Sequence, residues 1–99
     1  MKVVVQYFES CPGWRVVARG IEDLIERHGL EVDLRYQRVE TLEEARAHGF
    51  HGSPTILVDG RDPFAGEDAE VCFACRIYRT ETGPAPSPSI EQLAHALGI

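Results

Sequence analysis

Three consecutive valines, Val3-Val4-Val5, open the chain and lead into Tyr7 and Phe8. β-branched residues at adjacent positions put apolar side chains on both faces of a strand. A strand of that kind is stable when both faces are covered, as in the interior of a sheet flanked by helices. The rest of the chain must therefore supply neighbouring strands and at least two covering helices.

The helices can be read from spacing and caps. Cys11-Pro12-Gly13 ends the first strand segment, and Pro12 suits a first helical turn, where a missing N–H costs nothing. Trp14, Val17, Ala18, Ile21, Leu24, Ile25 and His28 recur at helical spacing, and Gly29 is placed to end that helix. Thr41 with Glu44 forms a capping-box pattern, which predicts a second helix over 42–48 that stops at Gly49. Ser89 with Gln92 repeats the pattern before the apolar stripe Ile90, Leu93, Ala94 and Leu97.

Between the helices lie the strands. Val32, Leu34 and Tyr36 alternate with Asp33, Arg35 and Gln37, predicting a second strand. Pro54 precedes Thr55-Ile56-Leu57-Val58, the third. Asp59-Gly60 is a two-residue hairpin signal, so a short fourth strand is expected over Arg61 to Ala65, restricted to an edge by Pro63. The stretch from Gly66 to Thr82 reads as a loop with some extended structure, and Gly83 to Pro88 as a polyproline-like spacer. The expected architecture is α/β: a four-stranded mixed sheet of order 2-1-3-4, three flanking helices and an inserted segment before the last helix. The right-handed crossover rule makes strands one and two parallel.

At 99 residues the chain suits a single domain, 1–99. Its net charge of −6 argues against nucleic acid and against an anionic membrane surface as partners. No basic stretch or long apolar run precedes the first strand, which predicts a cytoplasmic protein without a membrane segment. Three cysteines in a reducing compartment are expected to remain thiols, reactive or metal-binding rather than structural.

The element order, the Cys11-Pro12 at the first strand–helix junction and the Ser53-Pro54-Thr55 before the third strand resemble the thioredoxin and glutaredoxin superfamily over nearly the whole chain. The insertion at about 66–88 is the exception. The resemblance implies a cis Ser53–Pro54 bond facing Cys11. It also implies a substrate-aligning surface formed by Pro12, Trp14, Ser53, Pro54 and Thr55. The chain departs from the two-cysteine pattern of that superfamily, because position 14 is Trp and Cys11-Pro12-Gly13-Trp14 cannot close a disulfide on itself.

Cys11 has a physical rationale of its own. A cysteine at a helix N-terminus faces unpaired amides and the positive end of the helix dipole, both of which favour thiolate over thiol. The plainer alternative is that it closes the helix as a small buried group. Cys75, and behind it Cys72, are the candidates for a resolving partner, by attack on a mixed species formed at Cys11. A local Cys72–Cys75 disulfide is also allowed by the spacing. His51 is a candidate proton acceptor for Cys11.

Three functions follow. The first is a thiol–disulfide oxidoreductase, or thiol-based redox protein, without cofactor. It would use Cys11 as nucleophile and Cys75 as resolver, on a protein or low-molecular-weight thiol or disulfide substrate. The second is a soft-metal binder of the mercury or zinc type, since soft ions select thiolates. Over a few residues, Ala74-Cys75-Arg76-Ile77-Tyr78 is similar to short proteins labelled organomercurial-lyase-like. The third is a non-catalytic module that holds a partner peptide beside Pro54.

Overall fold

In a computed structural model, which describes residues 1–66 and 69–99, the valine run becomes β1 (Lys2–Tyr7), the central strand of a three-stranded sheet. β2 (Asp33–Arg38) pairs with it in parallel, with Val5 opposite Tyr36. β3 (Thr55–Val58) pairs antiparallel on the other side, with Val5 opposite Ile56. Val3 and Val5 are fully buried. They pack with Val17, Ile21 and Leu24 of α1 (Gly13–His28) and with Leu93 of α3 (Ile90–Ala96) and Leu97 just beyond it. Val4 is only half-buried, so cover of the two faces is uneven. A smaller cluster of Val39, Ala45 and Phe50, with Phe8 against it, forms at α2 (Leu42–His48).

The helix ends follow their caps. The Thr41 hydroxyl accepts from the Glu44 amide at 3.1 Å, and Gly49 closes α2 in the left-handed region at φ 61°. Ser89 and Gln92 exchange both bonds of a capping box, at 3.2 and 2.9 Å. Gly29, at φ 60°, closes α1.

The expected fourth strand does not form, and the sheet has order β2-β1-β3. The Asp59-Gly60 turn is made, with φ of 50° and 84°, and Val58 and Arg61 form one bridge across it. Pairing ends there for a local reason. The Asp62 carboxylate takes the Phe64 amide at 2.9 Å and Pro63 has no N–H, so the chain turns away from β3 instead of extending along it.

The insertion carries strands of its own. β4 (Tyr78–Thr80) and β5 (Gly83–Ala85) form a separate antiparallel pair, with Tyr78 opposite Ala85. Part of the expected polyproline spacer is thus a strand, and Pro84 lies opposite Arg79 in a two-stranded ribbon. Residues 67 and 68 of the insertion lie outside the described residues. Among those described, no helix is long and apolar enough to cross a membrane.

Candidate functional site

The turn that leaves β1 places Cys11 just ahead of α1, with its amide bonded to the Phe8 carbonyl at 3.2 Å. Pro12 precedes the helix in the right-handed region and offers no side-chain cap, so the first amides of α1 have no capping side chain. Cys11 is 1% exposed. Its Sγ donates to the Ser53 carbonyl at 3.3 Å. The Ser53–Pro54 bond is cis, as the resemblance implies.

Ser53 joins Cys11 to the insertion. The Ser53 amide donates to the Ala74 carbonyl at 2.8 Å, and the Arg76 amide donates to the Ser53 carbonyl at 2.8 Å. Ser53 and Cys75 therefore form a parallel bridge. Further back, the Cys72 amide donates to the Phe50 carbonyl at 2.8 Å. Segment 72–76 thus runs beside 50–53, with one extra residue taken up where the chain bends at Ala74. Gly52, at φ 105°, makes the close approach feasible: a Cβ there would lie 3.1 Å from both the Ala74 carbonyl oxygen and the Arg76 Cβ.

This register sets Cys75 beside Ser53, whose carbonyl accepts from the Cys11 thiol. The Cys75 thiol is pushed above its ordinary value, first by hydrogen bonding with Cys11, then by desolvation, then by the Cys11 charge. All three cysteines are free thiols, with Cys11 buried and Cys72 and Cys75 exposed. Of the two candidate partners, Cys75 is the one bridged to Ser53, and Cys72 lies three residues before it.

An ion cluster that spacing did not disclose holds the segment in place. The Asp62 side chain is 3% exposed and accepts from Arg76 Nη1 at 2.6 Å, His51 Nδ1 at 2.8 Å and the Phe64 amide at 2.9 Å. Burial alone would raise the Asp62 carboxyl. The bonds from Arg76 and His51 and the Arg76 charge outweigh it and hold the group below the usual carboxylate range. The Arg76 guanidinium also lies over the Tyr78 ring, 4.5 Å from its centroid, and the Tyr78 hydroxyl donates to the Pro54 carbonyl. The available signal was weak: an Asp beside a proline, and an Arg directly after Cys75.

His51, expected as a proton acceptor for Cys11, has its Nδ1 bonded to Asp62, and among the described residues no hydrogen bond joins it to Cys11. The other predicted residues divide. Ser53, Pro54 and Thr55 are buried, and the Thr55 hydroxyl is used within its own loop, donating to the Gly52 carbonyl at 2.5 Å. Pro12 is exposed. Trp14 stacks on Tyr7 with centroids 4.1 Å apart and meets Tyr36 edge-on at 6.3 Å. With them it walls a cavity of about 410 Å³ beside α1. There the Tyr36 hydroxyl is pushed up to about 12, chiefly by burial and then by its bond to Glu22.

Among the described residues, no group of three or more His, Cys, Asp or Glu side chains is arranged to hold a metal ion, so Cys11, Cys72 and Cys75 do not converge as three thiolates. No protein-family model matches the chain, and no curated protein or solved structure shows significant similarity to it.

Proposed function

We propose that this chain is a thiol–disulfide redox protein of thioredoxin-like type, with Cys11 as the nucleophilic thiolate and Cys75 as the resolving thiol. The observation that carries this reading is the backbone juxtaposition at Ser53, whose carbonyl accepts from the Cys11 thiol and whose backbone bridges to Cys75. The likeness of Cys11-Pro12 and Ser53-Pro54-Thr55 to the thioredoxin and glutaredoxin superfamily supports it.

The chemistry is a pair of exchanges. The Cys11 thiolate attacks one sulfur of a substrate disulfide, and the other sulfur leaves as a thiolate. Cys75 gives up its proton and attacks the Cys11 sulfur of the mixed disulfide, and the second substrate thiolate leaves. The substrate gains two electrons, and the protein ends with a Cys11–Cys75 bond. A thiol or dithiol reductant restores the pair. Because Cys11 is 1% exposed, substrate reaches it once segment 72–75 parts from it. The parted segment then returns carrying the resolving thiol.

Two features bear on the alternatives. The backbone groups of Ser53 are already taken by Ala74 and Arg76, which leaves less room for a module that holds a foreign peptide beside Pro54. The three thiols do not converge, which withdraws support from three-thiolate metal capture.

Oxidised glutathione, used as a small disulfide probe, tests the reading. Trypsin leaves Cys11 in peptide 3–15 and both Cys72 and Cys75 in peptide 62–76. The wild-type chain is expected to yield these two peptides cross-linked, and Cys75→Ser to yield a stable glutathione adduct on peptide 3–15. The cross-link should form faster as pH rises, because Cys75 must ionise from a raised value. A Cys75→Ser chain that takes no adduct at Cys11, or a wild-type chain that forms no cross-link, overturns the proposal.

A further inference from the structure

We infer that Cys72 is the exit thiol of this redox site: it takes over the Cys11–Cys75 disulfide and converts it into an exposed Cys72–Cys75 disulfide, freeing Cys11. The inference rests on the proposed redox couple of Cys11 and Cys75, and goes beyond it by giving the third cysteine a chemical part.

Access decides which sulfur of the disulfide is attacked. A Cys11–Cys75 disulfide has one sulfur on a residue that is 1% exposed and the other on an exposed residue. An attacking thiolate can approach the Cys75 sulfur far more easily than the Cys11 sulfur. Exchange at Cys75 expels Cys11, whose sulfur lies beside the Ser53 carbonyl in the reduced protein. Attack at the open sulfur thus frees the buried nucleophile.

Cys72 is the protein's own thiol on that open side. It is exposed and sits three residues before Cys75, in C-x-x-C spacing. The chain bends at Ala74, between the two thiols. Its position is fixed by the same ladder that fixes Cys75, because the Cys72 amide is bonded to the Phe50 carbonyl as the Ser53 amide is bonded to Ala74. Phe73, between the two cysteines, packs edge-on against Phe8 at 5.3 Å, so the outer turn has an apolar anchor of its own.

The step balances without any outside reagent. The Cys72 thiolate attacks the Cys75 sulfur. The Cys72–Cys75 bond forms as the Cys11–Cys75 bond breaks, and Cys11 leaves as a thiolate. The Cys72 proton passes to solvent, and the number of disulfides is unchanged. The result is a reset nucleophile under the segment and a disulfide on the surface, where an external thiol or dithiol can reduce it. This division explains how a buried nucleophile can communicate with a reductant that it never has to meet.

Tryptic mapping separates the two disulfides. Cys11–Cys75 joins peptides 3–15 and 62–76, whereas Cys72–Cys75 leaves peptide 62–76 alone and two hydrogens lighter. The full chain is treated with one equivalent of oxidised glutathione and quenched with N-ethylmaleimide at intervals. Cross-linked peptides should appear first and then decline, as the internally bridged 62–76 and a maleimide-labelled 3–15 grow. In Cys72→Ser, an exposed and conservative change, the internal form is lost and the cross-link persists.

The outcomes are distinct. If Cys72→Ser forms no cross-link, the redox couple itself fails and the exit step falls with it. If Cys72→Ser cross-links but the wild-type cross-link never passes on, only the exit step is overturned. A cross-link that survives in Cys75→Ser would mean that Cys72 bonds Cys11 directly, which also overturns it.

Discussion

Asp62 shows how much of the site hangs on one side chain. Its carboxylate joins a loop residue, His51, to the residue after Cys75, Arg76, and is itself almost fully buried. Removing one partner of such a pair leaves an uncompensated charge, and the cost is on the order of 3–5 kcal/mol. Asp62→Asn is therefore expected to lower the urea midpoint substantially and to loosen the hold of Arg76 on the Cys75 segment. The pH dependence has a defined sign. The folded-state value is depressed, so Asp62 contributes stability above the unfolded carboxylate value, and that contribution is lost as pH falls through the folded value. Urea melts on an acid series should show the wild type losing stability over that window and Asp62→Asn losing less. Equal slopes for the two proteins would remove Asp62 as the origin. Tyr78 makes a simpler case. Its hydroxyl satisfies the buried Pro54 carbonyl, so Tyr78→Phe should cost about 1–3 kcal/mol in the same assay by orphaning that acceptor.

At the scale of elements, two glycines of α1 make opposite predictions. A Cβ on Gly13 would lie 2.3 Å from the Pro86 carbonyl oxygen, a backbone atom, so the insertion and the helix start would have to part. Overpacking of this kind costs about 1–3 kcal/mol, more than the roughly 0.5–1 kcal/mol that alanine gains over glycine within a helix. Gly13→Ala should destabilise. A Cβ on Gly20 meets only side-chain tips, Leu93 Cδ1 at 2.9 Å and Ile90 Cδ1 at 3.5 Å, which can rotate away, so Gly20→Ala should be neutral or stabilising. Thermal melts of both variants decide it, and a Gly13→Ala chain as stable as wild type would show that Pro86 does not press on α1. The same contrast explains what the sequence disclosed. α2 and α3 were legible because caps and apolar spacing lie within a few neighbouring residues. The Asp59-Gly60 turn was legible too, but the strand after it was not, because the Asp62 side chain and Pro63 redirect the chain. β4 and β5 are tied down by distant partners, Pro54 beneath Tyr78 and Gly13 beside Pro86, which no local pattern encodes. For the site, the backbone sets Cys75 beside Ser53, the residue that also bonds the Cys11 thiol. The Asp62 cluster that fixes it joins residues 11 and 14 positions apart and left no periodic trace.

Across the whole molecule, the site links the two ends of the fold, and oxidation should be felt as global stability. A bridge from Cys11 to Cys75 closes a loop of about 65 residues, which in the chain-entropy account stabilises the folded state by about 4 kcal/mol. A bridge from Cys72 to Cys75 closes only about four residues, for which the same account gives about 2 kcal/mol. In a domain of this size each kcal/mol moves the thermal midpoint by roughly 4–8 °C. Oxidised Cys72→Ser, in which the long bridge persists, should therefore melt well above its reduced form. Oxidised wild type, in which the bridge has moved outward, should gain only about half as much. Calorimetry on the four samples, each with its disulfide mapped, is the measurement. Equal gains in the two oxidised proteins would mean that both hold the same bridge, contrary to the exit step. An oxidised Cys72→Ser that melts below its reduced form would mean that closing the long bridge strains the clasp formed by Ser53, Asp62 and Arg76. The Cys75 segment would then be held for contact with Cys11 rather than for bonding to it.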